Sequence, residues 1–426
     1  MPLHTRMLIG FVVGIVGGIL ANIYATDSVW LAPFIEYVTD PVGQIFLRLL
    51  FMLVVPLVFS ALVLGVSEIG DIRTLGRIGR RTLLWIVLVT GIAVTIGYLM
   101  VTTFQPGRGL PPEVAEQLQI ENAATVGAKL ERAADVTGID LLVRIVPDNP
   151  LRSAVQGDLI GVMFFGLLVG IAIVVLRTDG TRSFLGMVQG LYEICILLID
   201  WIIKLAPWAV AALLFTLTAR LGYDVLAQLG RFVLVVAGGL AIHMFVVFPL
   251  LLKLLGKTNP IAFFRAARPA ILTALSTSSS SATLPTTLMV AEENLGIPHY
   301  VGRFVCTLGA TANMNGTALF EGVTVLFLAQ FFGVELAFSQ QIMILLLCVF
   351  GSIGAAGVPG GSLPVIAMIM TMFGIPAEGI GIILGVDRLL DALRTTINVT
   401  GDLAGSMVIA RFEDPQHAGA TTMTES

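Results

Sequence analysis

Residues 269–290, PAILTALSTSSSSATLPTTLMV, set a run of hydroxyl residues, Ser276 to Ser281, between two short apolar segments. Each segment has roughly ten residues or fewer, whereas a helix that crosses a bilayer needs about 20. Backbone that leaves a helix at membrane depth must be satisfied by protein, water or ligand, because lipid offers no hydrogen bonds. The economical reading is a re-entrant hairpin whose polar tip faces a cavity.

The plan recurs further on. QIMILLLCVFG from Gln341 meets SIGAAGVPGGSLP from Ser352 and continues as VIAMIMTMFG to Gly374. Each hairpin leads to a helix with a polar interruption, NMNGT at 313–317 and NVTGD at 398–402. Both helices are expected to break near their Asn-x-x-Gly. Paired, Gly/Pro-interrupted apolar segments in corresponding positions are the sequence sign of a secondary transporter with inverted repeats and a site at the repeat interface.

The rest of the chain supplies the setting. Hydrophobic residues make up 56% and charged residues 12%, with a mean hydropathy of +0.94. The fold class is therefore all-α and polytopic in a membrane. Apolar runs lie near 7–25, 41–66, 82–104, 158–176, 184–218 and 229–255. The first run is read as a retained helix, not a signal peptide, because it approaches spanning length. RTLGRIGRR at 73–81, with Arg177, Arg182, Lys253 and Lys257, marks the cytoplasmic side and places both termini there. The expected location is the inner (plasma) membrane. The mixed-charge stretch 105–156 reads as an external loop, PDNPL at 147–151 as a turn, and 413–426 as a disordered cytoplasmic tail. A net charge of −4 gives no ground for a nucleic-acid partner, and Cys195, Cys306 and Cys348 all lie in apolar runs without zinc-ligand spacing.

The final helix carries the chemistry. In GVDRLLDALRTTINVTGD, Asp387, Asp391, Arg394, Asn398 and Asp402 recur at helical spacing. At about 100° per residue they share an arc of roughly 80°. An i,i+3 ion pair between Asp391 and Arg394 would serve structure alone. Intramembrane charges are costly, however, and usually mark an ion or substrate path. An arginine fork suits a carboxylate and an aspartate suits an ammonium, so the stripe fits a zwitterionic acid plus a cation.

The serine tip with TLP, the NMNGTALFEGV helix, GVPGGSLP and DALRTTINVTGD together resemble the dicarboxylate/amino acid:cation symporters, the glutamate transporter family. The likeness extends to VVPLVFSALVLG at 54–65 and IVPDNPLRSAVQGDLIGVMFFGLLVGIAI from Ile145. It implies eight transmembrane helices, two hairpins, a homotrimer and elevator-type alternating access. It also implies scaffold helices 1 and 2 in 1–78, helix 3 of a transport domain in 79–104, and the external loop with scaffold helices 4 and 5 in 105–222. The remaining transport domain would span 223–412.

Carried over by position, the resemblance assigns Arg394 to the substrate side-chain carboxylate and Asp391 to its amino group. Asn398 and Thr317 would add hydrogen bonds, Ser279 and Ser280 would meet the α-carboxylate, and Val358 and Ser362 would contribute from the second hairpin, the family's gate. Asp402, with backbone oxygens of Gly309, Asn313 and Asn398, would hold one sodium ion. Thr311, Ser352, Ile353 and Ala355 would hold a second. Hard oxygen ligands suit an alkali cation.

The chain departs from the family pattern in two places. Members with a third sodium site have an acid where this chain has Asn315. Ile86 and Val89 stand where the pattern has a tyrosine and a hydroxyl residue, leaving Thr90 and Asn313. The expectation is a weakened third site and fewer coupled sodium ions; the alternative is ligation by the Asn315 amide oxygen. The arginine that members carry at the first tip or after the amine-binding aspartate is missing, since Ser278 and Ala392 stand there. Arg388, one turn before Ala392, either supplies that charge near Asp387 or snorkels to water.

Asp402 stands where proton-coupled relatives tend to have asparagine, which favours sodium, although a buried aspartate can itself carry a proton. The expected substrate is aspartate or glutamate, with a C4-dicarboxylate as the alternative. An intramembrane hydrolase would need an activated serine, and neither hairpin holds a histidine or a G-x-S-x-G. A channel would conduct without substrate. Glu321 lies near the expected core with no role assigned from sequence. Glu193 and Asp200 read as scaffold or interface polar residues, and Lys204, Pro207 and Trp208 as a kink and interfacial anchor.

Overall fold

The computed structural model describes residues 3–25, 28–67, 76–108, 146–156, 159–222, 224–354 and 361–413. All regular elements among them are helical. The first seven long helices, α1 (Leu3–Ala25), α2 (Asp40–Ser67), α3 (Gly76–Phe104), α4 (Leu159–Leu176), α5 (Asp179–Ile203), α6 (Ala206–Leu221) and α7 (Asp224–Ile242), follow the apolar runs. Among the described residues, five stretches are long and apolar enough to cross a membrane: Thr5–Ala25, Leu31–Leu64, Arg77–Phe104, Asp179–Ile203 and Leu226–Gly256. Large apolar side chains such as Val13, Leu84, Val87 and Leu234 stay exposed on them. Such faces suit lipid, not water, and the molecule is a multi-pass helical membrane protein.

Two runs contain internal events that periodicity does not reveal. The run at 184–218 splits at Lys204 and Leu205, and α6 begins with Pro207 in its first turn. Proline fits there because a first-turn amide has no intrahelical partner. Beyond α7 the chain continues to Gly256 through two π-helical turns, His243–Val247 and Leu252–Gly256, on either side of Pro249. Pro249 has no amide to donate to the preceding turn, and the wider turn His243–Val247 lies just before it. The expected turn at PDNPL ends as a cap, with Asn149 Oδ1 accepting the Leu151 and Arg152 amides at 2.9 and 3.1 Å.

The last third forms the expected pair of hairpins. The first joins α8 (Pro260–Thr277) to α9 (Ser280–Met289). The later hairpin joins α12 (Phe338–Gly354) to α13 (Leu363–Met372). Their leading arms have 18 and 17 residues, longer than the apolar segments alone, and their returning arms have 10 each. The leading arm α8 starts early because Asn259 caps the Ile261 amide at 2.9 Å and Pro260 opens the helix. Its first half includes Arg265 and Arg268, both exposed. The tip is built by the serines themselves. Ser278 adopts a left-handed conformation at φ 50°, ending α8, and Ser279 is extended and caps α9 through the Ala282 amide at 3.2 Å. A left-handed non-glycine residue costs about 1–2 kcal/mol.

The two Asn-x-x-Gly helices differ, which corrects the expectation that both break. The first does: α10 (His299–Ala312) stops, Asn313 and Met314 leave helical geometry, and α11 (Asn315–Phe331) resumes. The second does not: α14 (Ile380–Glu413) runs unbroken for 34 residues through Asn398 and Gly401. The Asn398 side chain reaches across to the broken helix instead of competing for its own backbone. Gly401 is a point of close approach, since a Cβ there would lie 2.6 Å from Asn315 Nδ2 and 3.0 Å from Asn313 Nδ2. Helices α3, α7, α8, α9, α10 and α11 pack around α14, so its polar stripe is enclosed by protein.

Candidate functional site

Arg394 is 1% exposed and ranks among the largest fully buried side chains. Its Nη2 donates to Asp387 Oδ1 at 3.0 Å and to Asp391 Oδ1 at 2.7 Å, and its Nη1 donates to Ser362 Oγ at 3.3 Å. The guanidinium lies over the Phe320 ring, 3.9 Å from its centroid. A cation over an aromatic face in a dry site gains about 2 kcal/mol. Nε of Arg394 and Oδ2 of Asp391 are buried without a hydrogen-bond partner. Unmade bonds on buried charged groups are expensive.

One turn further, Asn398 Oδ1 accepts the Gly316 amide at 2.8 Å, while its Nδ2 donates to Thr317 Oγ1 at 3.1 Å and contacts Met314 Sδ at 3.2 Å. It thereby satisfies a free amide in the first turn of α11. Asp402 Oδ1 accepts Asn313 Nδ2 at 2.8 Å, and Asn313 Oδ1 accepts Asn315 Nδ2 at 3.2 Å. Gly309 sits against this carboxylate so closely that a Cβ would be 2.1 Å from Oδ1. The arrangement is an anionic, oxygen-rich patch beside a helix break. Its donor set fits a hard cation.

The profile of the sodium:dicarboxylate symporter family matches residues 3–412. The chain belongs to that family. Among its relatives, the proton/sodium-glutamate symport protein of Geobacillus stearothermophilus is 33% identical over 96% of this chain and 94% of its own. The proton/glutamate-aspartate symporter of Escherichia coli strain K12 is 30% identical over 96% of this chain and 92% of its own. The human excitatory amino acid transporter 2 is 32% identical, covering 96% of this chain and 78% of that one. Family and relatives alike are transporters, and this family member is not an enzyme.

Within the symporter, hydrogen bonds join Asp387, Asp391, Arg394 and Ser362 in one group, Thr317 and Asn398 in a second, and Asn313, Asn315 and Asp402 in a third. Arg388 reaches Asp391, with Nη1 3.9 Å from Oδ2, and its side chain is 35% exposed. Ser279 and Ser280 are buried at the first tip, where Thr277 Oγ1 and Thr283 Oγ1 also pair at 2.9 Å. Thr311 and Ser352 use their hydroxyls on the Leu308 and Val349 carbonyls at 3.1 and 2.9 Å. Ile353 packs on Ile86, Leu308 and Ala312, holding the end of α12 against α10. Val358 and Ala355 lie outside the described residues.

At the expected third cation site, Ile86 and Val89 are buried and apolar, and Thr90 Oγ1 and Asn315 Oδ1 are buried acceptors without partners. Sequence reasoning missed Trp85, whose Nε1 donates to the Gly401 carbonyl at 3.0 Å. The signal was available, because a buried indole N–H needs an acceptor. It also missed Phe320, which follows Thr317 at helical i+3 spacing. Glu321 is fully buried with both carboxyl oxygens unpartnered.

Proposed function

We propose that this transporter is a secondary active symporter that brings aspartate or glutamate into the cell with sodium. The observation that carries the reading is the fully buried Arg394, held between two aspartates with hydrogen-bonding capacity left over. Arg394 receives the substrate side-chain carboxylate, Asp391 its ammonium, and Thr317 and Asn398 its remaining polar atoms. Ser279, Ser280, Val358 and Ser362 close the site from the two hairpin tips. The names of the relatives, which include glutamate and aspartate symporters, support the same substrate class.

Sodium is carried as co-substrate. Asp402, with backbone oxygens of Gly309, Asn313 and Asn398, would hold one ion, and Thr311, Ser352, Ile353 and Ala355 a second. Thr90, Asn313 and Asn315 would give a third site weakened by the loss of an acid, so fewer ions are coupled. A homotrimer in the plasma membrane, with both termini cytoplasmic, carries three transport domains that move across a scaffold in elevator fashion.

The test is uptake of aspartate, glutamate, succinate and alanine into proteoliposomes under separately imposed sodium and proton gradients. Sodium-driven aspartate or glutamate uptake, lost in Arg394→Lys, is expected. Breaking a buried charge pair costs about 2–5 kcal/mol, roughly 30-fold or more in affinity. Uptake driven by protons without sodium, or alanine preferred over aspartate, overturns the reading.

A further inference from the structure

A guanidinium offers two forked edges to a carboxylate, Nε with Nη2 and Nη1 with Nη2. Both edges include Nη2. In this structure Nη2 of Arg394 already serves Asp387 at 3.0 Å and Asp391 at 2.7 Å. A substrate carboxylate that takes either fork must therefore displace one of the two aspartates from Nη2. Asp391 is the one with a second cation at hand, because its other oxygen, Oδ2, is buried without a hydrogen bond and faces Arg388 Nη1 at 3.9 Å.

What replaces Arg394 at Asp391 depends on the substrate. An amino acid brings its own ammonium. A dicarboxylate without an amino group brings none, and would leave Asp391 as an uncompensated buried carboxylate beside the incoming anion, an arrangement that costs several kcal/mol. Arg388 is placed to prevent this. It lies one turn from Asp391, and 35% of its side chain is exposed, so its guanidinium has room to close the remaining gap. It is also on the polar edge of α14, and a cation there enlarges the range of anions the site can neutralise.

We propose that Arg388 is a specificity-determining residue that pairs with Asp391 when the substrate lacks an ammonium, letting the site accept a C4-dicarboxylate as well as an acidic amino acid. The inference rests on Arg394 as the carboxylate site. Asp391 has two alternative cations, one supplied by the substrate and one by the protein.

The experiment compares succinate and aspartate uptake by the full-length protein in proteoliposomes, for the wild type, Arg388→Gln and Arg388→Lys. Loss of one charge partner should lower the succinate-to-aspartate ratio of kcat/KM by about tenfold in Arg388→Gln, through the succinate KM. Arg388→Lys should recover part of that ratio, which a merely structural side chain would not do. An unchanged ratio in Arg388→Gln, or no rescue by lysine, overturns the proposal. Wild-type protein that takes up aspartate but not succinate overturns it while leaving the acidic amino acid reading intact. Succinate uptake without aspartate uptake overturns both the acidic amino acid reading and the dual acceptance proposed here.

Discussion

The side-chain oxygen of Asn398 accepts the backbone amide of Gly316 at 2.8 Å, so an unbroken helix caps a broken one. The same side chain holds the Thr317 hydroxyl at 3.1 Å. The polar residues of α11 and α14 proposed to hold substrate and cation are thus registered by one amide group.

Asn398→Ala should destabilise the purified protein even without ligands. It orphans a buried amide, which costs about 1–3 kcal/mol, and reads as a Tm lowered by several degrees in detergent. An unchanged Tm would mean that α11 does not depend on this cap.

Gly309→Ala should impair sodium use more than folding. A Cβ placed 2.1 Å from Asp402 Oδ1 must push the carboxylate aside. The sodium concentration for half-maximal uptake should rise about tenfold, the scale of 1.4 kcal/mol. A normal sodium response would remove Asp402 from the cation site.

Asn315→Asp should raise the sodium-to-substrate ratio. The Asn315 oxygen and Thr90 Oγ1 are already buried acceptors without partners, and a carboxylate restores the missing charge. Flux ratios measured at known sodium gradients decide this; equal ratios in variant and wild type count against a latent third site.

Glu321→Gln keeps the side-chain volume and removes an ionisable group whose two oxygens have no partner. Sodium-driven uptake is expected to persist, and its rate under an imposed pH difference, compared with that of the wild type, reads out whether this carboxyl moves a proton. A retained response excludes Glu321 as a proton carrier.

Much of this was legible in the sequence for a physical reason. Charges are so costly in a membrane that a helical stripe from Asp387 to Asp402 stands out against its apolar background. The hairpins were legible because length and polarity conflict in their segments. The shared Asn-x-x-Gly pattern was misleading. One interrupts its helix and the other does not, because Asn398 directs its amide at Gly316, 82 residues away, and a local string cannot report such a partner. The need of the Trp85 indole for an acceptor was readable, but its partner was not, because the bond to Gly401 spans 316 residues. The early start of α8 was readable from Asn259 and Pro260, whose capping pattern outweighs the polarity of the turns that follow.

The continuity of α14 has a mechanical consequence. Arg394 and Asp402 are eight positions apart on one rigid rod, a separation of about 12 Å at 1.5 Å per residue. No ligand can shorten that ruler. On the proposed assignment of substrate to Arg394 and cation to Asp402, any coupling between them would run through the break at Asn313 and Met314 and the hairpins around it, while the rod keeps the two charges at constant range.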